Sequence, residues 1–379
     1  MTGLLETPYG TRDFLPKEAA EKRAVEGKII ELFTRFGYEQ VVTPAMEYLQ
    51  TLTTSGGRTI EPHLFKMFDR NNRTLALRHE MTTPIARLAS SRLKDSPTLK
   101  LSYLTNVFRF RQNQTGRQCE FYQAGVELLG VSNAFADAEI VALAAQALNV
   151  AGLADFKISL GQAEFAAGLL ENLSPEIQAQ VKSAIERHDI VALNNLPIDT
   201  ALKKIPMLQG NREILSEAQS IAQNERSRRA IDNLAEIYRL LENYGVAEKI
   251  TFDLGLIRDF EYYTGMVFEA YAPGVGYSLA GGGRYDNMLA DFGAPRPATG
   301  FALGIERILD ARKFQHVTDN SPPKKFFVAY PDGAQVSAIR RAGELRAAGS
   351  VAELSLTPQT LAQAQICAAK NFMELVYVQ

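Results

Sequence analysis

Two cysteines stand in a chain of 379 residues, Cys119 and Cys367, far apart and without C-x-x-C spacing. That excludes a disulfide framework and a cysteine-built zinc site, and it points to a reducing compartment. Also lacking is any apolar run near the ~18 residues that suggest a membrane span, and residues 1–10 show no basic start followed by an apolar stretch. A cytoplasmic protein without a membrane segment is the expectation. An excess of one charge is missing too, because the formal net charge is -2. A nucleic-acid-binding protein ordinarily matches many phosphates with a basic surface, so this balance argues against tRNA as a partner, although a local basic groove would not register in the sum. There is no internal repeat and no low-complexity tract.

What is present is an ordinary globular composition, 46% hydrophobic and 22% charged, in a chain too long for one hydrophobic core. Residues 19–36 set Ile29, Ile30, Phe33 and Phe36 at helical spacing, with Gly37 as a stop. Strands are expected at 39–43, 74–78 and 100–103, then a hairpin of 106–111 and 120–128 around the polar loop 112–118. Helical periodicity follows over 134–150 and through 166–244, where Ile231, Leu234, Tyr238 and Leu241 share a face, so a helical insertion over about 166–245 is predicted. Strand patterns return at 249–254, 265–271 and 277–279, with a helix over 304–312. Antiparallel strands interrupted by a helical block read as α+β.

The stretch 319–325, with Pro322 and Pro323, reads as a linker that closes a core of 1–318. Beyond it, 326–379 alternates strand and helix as a small α/β unit of βαβαβ type.

Three patches carry polar chemistry. The first is Phe108-Arg109-Phe110-Arg111, followed by Gly116-Arg117 and by Glu120 to Glu127. Residues two apart on a strand share a face, so Arg109 and Arg111 go together, as do Gln123, Gly125 and Glu127. Arg109 fits a solvated sheet edge, and it equally fits a planar fork for a carboxylate or phosphate. The second patch runs from Leu256 to Gly265 and leads to Ala280-Gly281-Gly282-Gly283-Arg284-Tyr285-Asp286. Its glycines allow either a flexible turn or a close approach by backbone or ligand. The third, Gly300 to Arg307, reads as a strand entering a helix, with Arg307 as a surface ion pair or a ligand contact.

In this order the patches resemble the histidyl-tRNA synthetase family over nearly the whole chain. Residues 8–16 (PYGTRDFLP) resemble the family's opening and 37–47 (GYEQVVTPAME) its class II motif 1, which builds the dimer interface there. Residues 108–123 resemble motif 2, 300–307 motif 3, and the patches at Arg258 and 281–286 the two histidine-specific boxes. The resemblance implies a class II aminoacyl-tRNA synthetase-like antiparallel sheet flanked by helices, and a histidine pocket. Glu80 and Thr82 would hold the amino group and Arg109 and Gln123 the carboxylate end, while Glu127, Tyr262, Tyr263 and Tyr285 would surround the imidazole. Arg258 resembles the arginine that neutralises an α-phosphate and Arg307 the one that contacts ATP. No metal and no cofactor are implied.

The departures point to one branch. Arg111 stands where synthetases carry Glu, Cys119 where they carry a second Arg, and Arg258-Asp259-Phe260-Glu261 where Arg-Gly-Leu-Asp is typical. Reversing a charge beside a nucleotide undoes its placement, so Arg109, Arg111, Arg258 and Arg307 read as a vestigial nucleotide site. The unit after the linker is about half an anticodon-binding domain and has a surplus of only two positive charges, six basic against four acidic residues over 324–379. This combination resembles the synthetase paralogues that regulate ATP phosphoribosyltransferase. It implies a non-catalytic homodimer within a larger hetero-oligomer, a short-form catalytic subunit as partner and histidine as ligand. A divergent histidyl-tRNA synthetase is the alternative.

Overall fold

The computed structural model describes residues 4–54, 60–110, 118–187, 189–256, 262–318, 324–371 and 373–379. The chain divides into two compact units, Met1–Val317 and Thr318–Gln379.

The larger unit is built on a nine-stranded sheet among the described residues. Its order is Glu39–Gln40, Leu99–Phe108, Glu120–Leu129, Ala298–Gly304, Ala280–Arg284, Met266–Tyr271, Lys157–Gln162, Ile250–Asp253 and Gln209–Gly210. The sheet is mixed rather than purely antiparallel, because Glu39–Gln40 runs parallel to Leu99–Phe108 and Lys157–Gln162 parallel to Ile250–Asp253. The two strands expected at 100–103 and 106–111 are one, Leu99–Phe108, paired in register with Glu120–Leu129 along its whole length. Alternation of Leu101, Tyr103 and Thr105 with Ser102 and Leu104 continues through the expected break, so no turn forms there.

A second difference is larger. The strand expected at 277–279 lies at Ala280–Arg284, and the glycines read as a turn or close approach form the strand itself. Gly281, Gly282 and Gly283 pair with Ala302, Phe301 and Gly300 on one side and with Glu269, Phe268 and Val267 on the other. Strand propensity is overridden here by two flanking partners that satisfy the backbone on both edges. The strand Lys157–Gln162 was not expected from the pattern, and the strand expected over 39–43 is reduced to Glu39–Gln40.

One face of this sheet is covered by helices. Ala134–Val150 is buried on nearly every side, its alanines allowing close approach to the sheet, and Asn133 caps it by accepting from the Ala136 N–H at 3.1 Å. Pro16–Arg35 places Val25, Ile29 and Phe33 in the same core, where Phe33 meets Phe301 edge-on at 5.8 Å. The helical insertion begins at Ala163 and ends at Asn243. Side chains of Gln162, Ser174, Asp189, Asp199 and Asn224 cap five of its helices, and Ile231, Leu234 and Leu241 of the last are buried, with Tyr238 partly so.

The smaller unit holds three parallel strands in the order Val351–Leu354, Lys325–Ala329, Glu374–Tyr377. Alternation in the central strand sends Val328 to Ala338 and Ala342 of one helix, Gln335–Ala347, and Phe327 and Ala329 to Ala364 and Ala368 of the other, Leu361–Lys370. Lys325, expected in the linker, is the first residue of the central strand, and 319–323 fall outside the described residues.

Candidate functional site

The other face of the large sheet carries a floor of small residues that follows from strand register. Gln123, Gly125 and Glu127 lie opposite Gly304, Ala302 and Gly300, and the last two lie opposite Gly281 and Gly283. Each glycine makes room for a particular group. A Cβ on Gly300 would come within 1.8 Å of Glu127 Oε2, one on Gly125 within 2.3 Å of the Tyr103 hydroxyl, and one on Gly283 within 2.8 Å of the Tyr263 ring. Only glycine permits those side chains to lie flat against the sheet.

Above this floor is a cavity of about 720 Å³, within the size range of small-molecule sites. Glu80, Thr82, Arg109, Gln123, Glu127, Tyr262, Tyr263, Tyr285 and Arg307 all line it, although they come from six separate stretches of chain. Arg111 and Arg258 lie outside the described residues. Among the described residues no group of His, Cys, Asp and Glu side chains has the arrangement of a metal site.

Glu127 is the centre of the arrangement. It is 2% exposed, accepts a hydrogen bond from the Thr82 hydroxyl at 3.1 Å, and accepts another from the Tyr285 hydroxyl. Burial pushes its carboxyl up to about 8; the Tyr285 and Thr82 hydrogen bonds oppose the shift, and the nearby Glu80 charge adds to it. Tyr262 stacks on Tyr285 at 5.5 Å between centroids and meets Tyr263 edge-on at 4.7 Å, forming an aromatic wall beside this carboxyl.

The opposite wall is the loop between the strand Thr74–Leu77 and the helix Thr82–Ser91. Arg78 is a structural clamp there: its guanidinium donates to the carbonyls of Thr43 at 2.7 Å, Pro44 at 3.2 Å and Asn106 at 3.0 Å. Glu80 turns its carboxylate to the first turn of the helix, accepting from the N–H groups of Thr82 and Thr83. Arg109 lies just past the hairpin strand and donates Nε to the His79 carbonyl at 2.8 Å, with its guanidinium 5.4 Å from the Phe121 ring. Arg307 donates to the Ser278 carbonyl at 2.5 Å and lies 5.1 Å over the Tyr277 ring, whose hydroxyl donates to Asp310 at 2.7 Å.

Other residues of the patches are structural. Arg284 is buried and paired with Asp137 at 2.8 Å and Asp286 at 3.0 Å, which fixes the entry of Tyr285 into the cavity. Cys119 is buried, with its N–H donating to the Gly10 carbonyl at 2.6 Å, and Gly10 has no space for a Cβ against its sulfur. Sequence reading missed His79, Tyr103 and Tyr277 as lining residues. Tyr103 was accessible from alternation, since it sits opposite Gly125 on the cavity face; no sequence signal marks Tyr277.

The model of the histidyl-tRNA synthetase family matches residues 10–308. An ATP phosphoribosyltransferase regulatory subunit of Moorella thermoacetica is 39% identical over 385 aligned residues, 99% of this chain and 98% of that protein. The chain belongs to the family of synthetase-like ATP phosphoribosyltransferase regulatory subunits. A member from Desulforamulus reducens is 42% identical across 90% of this chain and 87% of its own length. Among solved structures, an ATP phosphoribosyltransferase regulatory subunit/histidyl-tRNA synthetase from Bacillus halodurans superposes with a TM-score of 0.85 at 32% identity, covering 99% of this chain and 98% of that one. Histidyl-tRNA synthetase from Nostoc gives a TM-score of 0.83 at 22% identity, which shows the shared fold. No helix among the described residues is long and apolar enough to cross a membrane.

Proposed function

We propose that this chain is a non-catalytic regulatory subunit of ATP phosphoribosyltransferase in histidine biosynthesis. It works with a short-form catalytic subunit in the cytoplasm and binds free histidine in the cavity on the large sheet. The observation that carries the reading is the Glu127 carboxyl, buried between the Thr82 and Tyr285 hydroxyls beside an aromatic wall, in a chain whose relatives bear the regulatory name. An imidazole N–H requires an acceptor between apolar faces, and a buried carboxyl with a raised pKa takes up an imidazolium by giving up its own proton. Arg109 and Gln123 serve the carboxylate end and Glu80 and Thr82 the amino end. Tyr263 lies along the ligand, and Arg258 completes the set of histidine-binding residues.

Histidine exerts feedback when it binds one conformation of the assembly more tightly than another, and a coupling of about 1–3 kcal/mol is ordinary for such a switch. A homodimer forms through the stretch that resembles motif 1, where Val42 and Met46 are exposed apolar residues. This dimer sits within a larger hetero-oligomer, and tRNA is not a partner. The test is reconstitution: the short catalytic subunit should gain phosphoribosyltransferase activity on addition of this chain and lose it on histidine titration. No gain in activity would overturn the assignment.

A divergent histidyl-tRNA synthetase is the second reading, favoured by Arg109 and Arg307 lining the same cavity. Histidine-dependent exchange between ATP and pyrophosphate, with charging of tRNA, would establish it; the regulatory reading predicts neither.

A further inference from the structure

We propose that a second copy of this chain packs on the outer face of a small three-stranded sheet, and that pairing and histidine binding strengthen one another through Arg78 and Arg87. The inference rests on the reading that the chain pairs and that its cavity takes histidine; it adds the surface and the link between the two events.

The sheet runs Met46–Tyr48, Thr74–Leu77, Lys66–Phe68, all antiparallel. Register divides it into two unlike faces. Met46 lies opposite Leu77, and Leu75 lies between Tyr48 and Met67, so these five apolar side chains share one face. Glu47 and Ala76 point the other way and are buried, Ala76 in a cluster with Leu52 and Leu64. The first face has no such cover. Met46 is 51% and Tyr48 42% exposed, and none of the five belongs to a hydrophobic core among the described residues. A sheet that is apolar on both sides requires packing on both.

A copy of the same chain fits this face. It carries no ionisable group except the Tyr48 phenol, so two of them meet about a two-fold axis without like-charge repulsion. At the rim Arg73 is already balanced, paired with Asp69 at 2.7 Å and lying over the Tyr48 ring at 4.5 Å. Two such faces can stack as aligned sheets. Along the chain the face continues into Val42, Pro44 and Ala45, all exposed, in the stretch assigned to the homodimer.

The same segment is bolted from inside to the cavity wall. Arg87, on the helix Thr82–Ser91, donates Nε and Nη2 to Glu47 Oε1 at 3.1 and 2.7 Å, gripping the strand whose Met46 and Tyr48 face outward. Arg78 holds the carbonyls of Thr43, Pro44 and Asn106 by its guanidinium, and its backbone N–H donates to the Ala45 carbonyl at 2.9 Å. Both arginines belong to the stretch that carries Glu80 and Thr82 into the cavity, where the Thr82 hydroxyl donates to Glu127. A partner that fixes residues 42–48 therefore fixes Arg78 and Arg87, and with them the wall that histidine touches. Histidine, by holding that wall, holds the surface the partner needs. The effect is reciprocal by linkage.

Sedimentation of the full chain over a range of concentrations, with and without histidine, tests this. Both sites of a pair contribute, so a roughly fivefold stronger histidine affinity in the pair should lower its dissociation constant roughly twenty-five-fold at saturation. Met46→Lys together with Tyr48→Lys sets like charges against each other across the contact. That chain should run as a single copy and bind histidine roughly fivefold more weakly in calorimetry, although neither residue lines the cavity. Arg87→Lys, which keeps the charge but loses the two-donor grip on Glu47, should still pair and show a smaller effect of histidine on pairing. If wild type stays paired at the lowest concentration, Tyr48→Ala provides a weaker pair for the same comparison. The proposal is overturned by a wild type that never pairs, by a doubly substituted chain that still pairs or keeps full affinity for histidine, or by an effect of histidine undiminished in Arg87→Lys. Loss of catalytic-subunit binding with pairing intact would assign the face to that subunit instead. A wild type that pairs but binds no histidine would remove the histidine reading, and the link with it; bound histidine without effect on pairing would remove the link alone.

Discussion

At the scale of single residues, Glu127 sets the chemistry of the cavity. A carboxyl with its pKa raised to about 8 by burial is protonated in the folded chain and ionised in the unfolded one across neutral pH. The stability it contributes is therefore complete below its ordinary value, near 4.5, and declines as pH rises toward about 8. Melting temperatures recorded from pH 5 to 9 should fall more steeply for wild type than for Glu127→Gln, and parallel curves would refute the shift. With histidine present, Glu127→Ala should weaken binding by roughly 2 kcal/mol or more, because it removes the acceptor for the imidazole N–H; calorimetry showing equal affinity would remove Glu127 from the imidazole site. Alternation put Gln123, Gly125 and Glu127 on one face of a strand, and the resemblance to the histidyl-tRNA synthetase family singled out Glu127 among them. The resemblance also set Thr82 and Tyr285 in the same pocket; what it did not show is that both hydroxyls donate to this carboxyl, across 45 and 158 positions of chain.

Among elements, the strand Ala280–Arg284 was hardest to foresee and matters most to the floor of the cavity. Glycine disfavours strands, so three in succession read as a turn, yet neighbours on both edges hold them extended. Side chains of the site then occupy the volume that Cβ atoms would have filled. Gly300→Ala on the adjacent strand should cost about 1–3 kcal/mol in denaturant unfolding and abolish histidine binding, since its methyl would collide with the Glu127 carboxylate. The contrasting case is Gly343, inside the helix Gln335–Ala347 with open space where a Cβ would go. Gly343→Ala should stabilise the smaller unit by about 0.5–1 kcal/mol, measurable in the same experiment. By comparison, the helix Ala134–Val150 was readable to the residue, because its cap at Asn133 and its apolar run coincide. The long hairpin was half readable: its second strand was placed within a residue, while its first was split where the polar Thr105 and Asn106 weaken the pattern.

For the whole molecule, the division into two units separates the site from the C-terminal portion. All residues that line the cavity fall within Met1–Val317, which has its own core, and the three-stranded unit has its own small clusters. A chain ending at Val317 should therefore bind histidine with the affinity of the full chain, as calorimetry would reveal; a large loss would mean that the C-terminal unit supports the site. The sequence carried the overall fold because ordered motifs constrain it from end to end, and the family match over 10–308 follows the same stretch. The central claim is that a cavity inherited from a synthetase fold holds one free amino acid. A crystal structure grown with histidine tests it most directly. The account predicts an imidazole within hydrogen-bonding distance of Glu127, beside Tyr285, with its ammonium group toward Glu80 and Thr82. A cavity without ligand at saturating histidine, or one holding a chemically unrelated molecule, would contradict it.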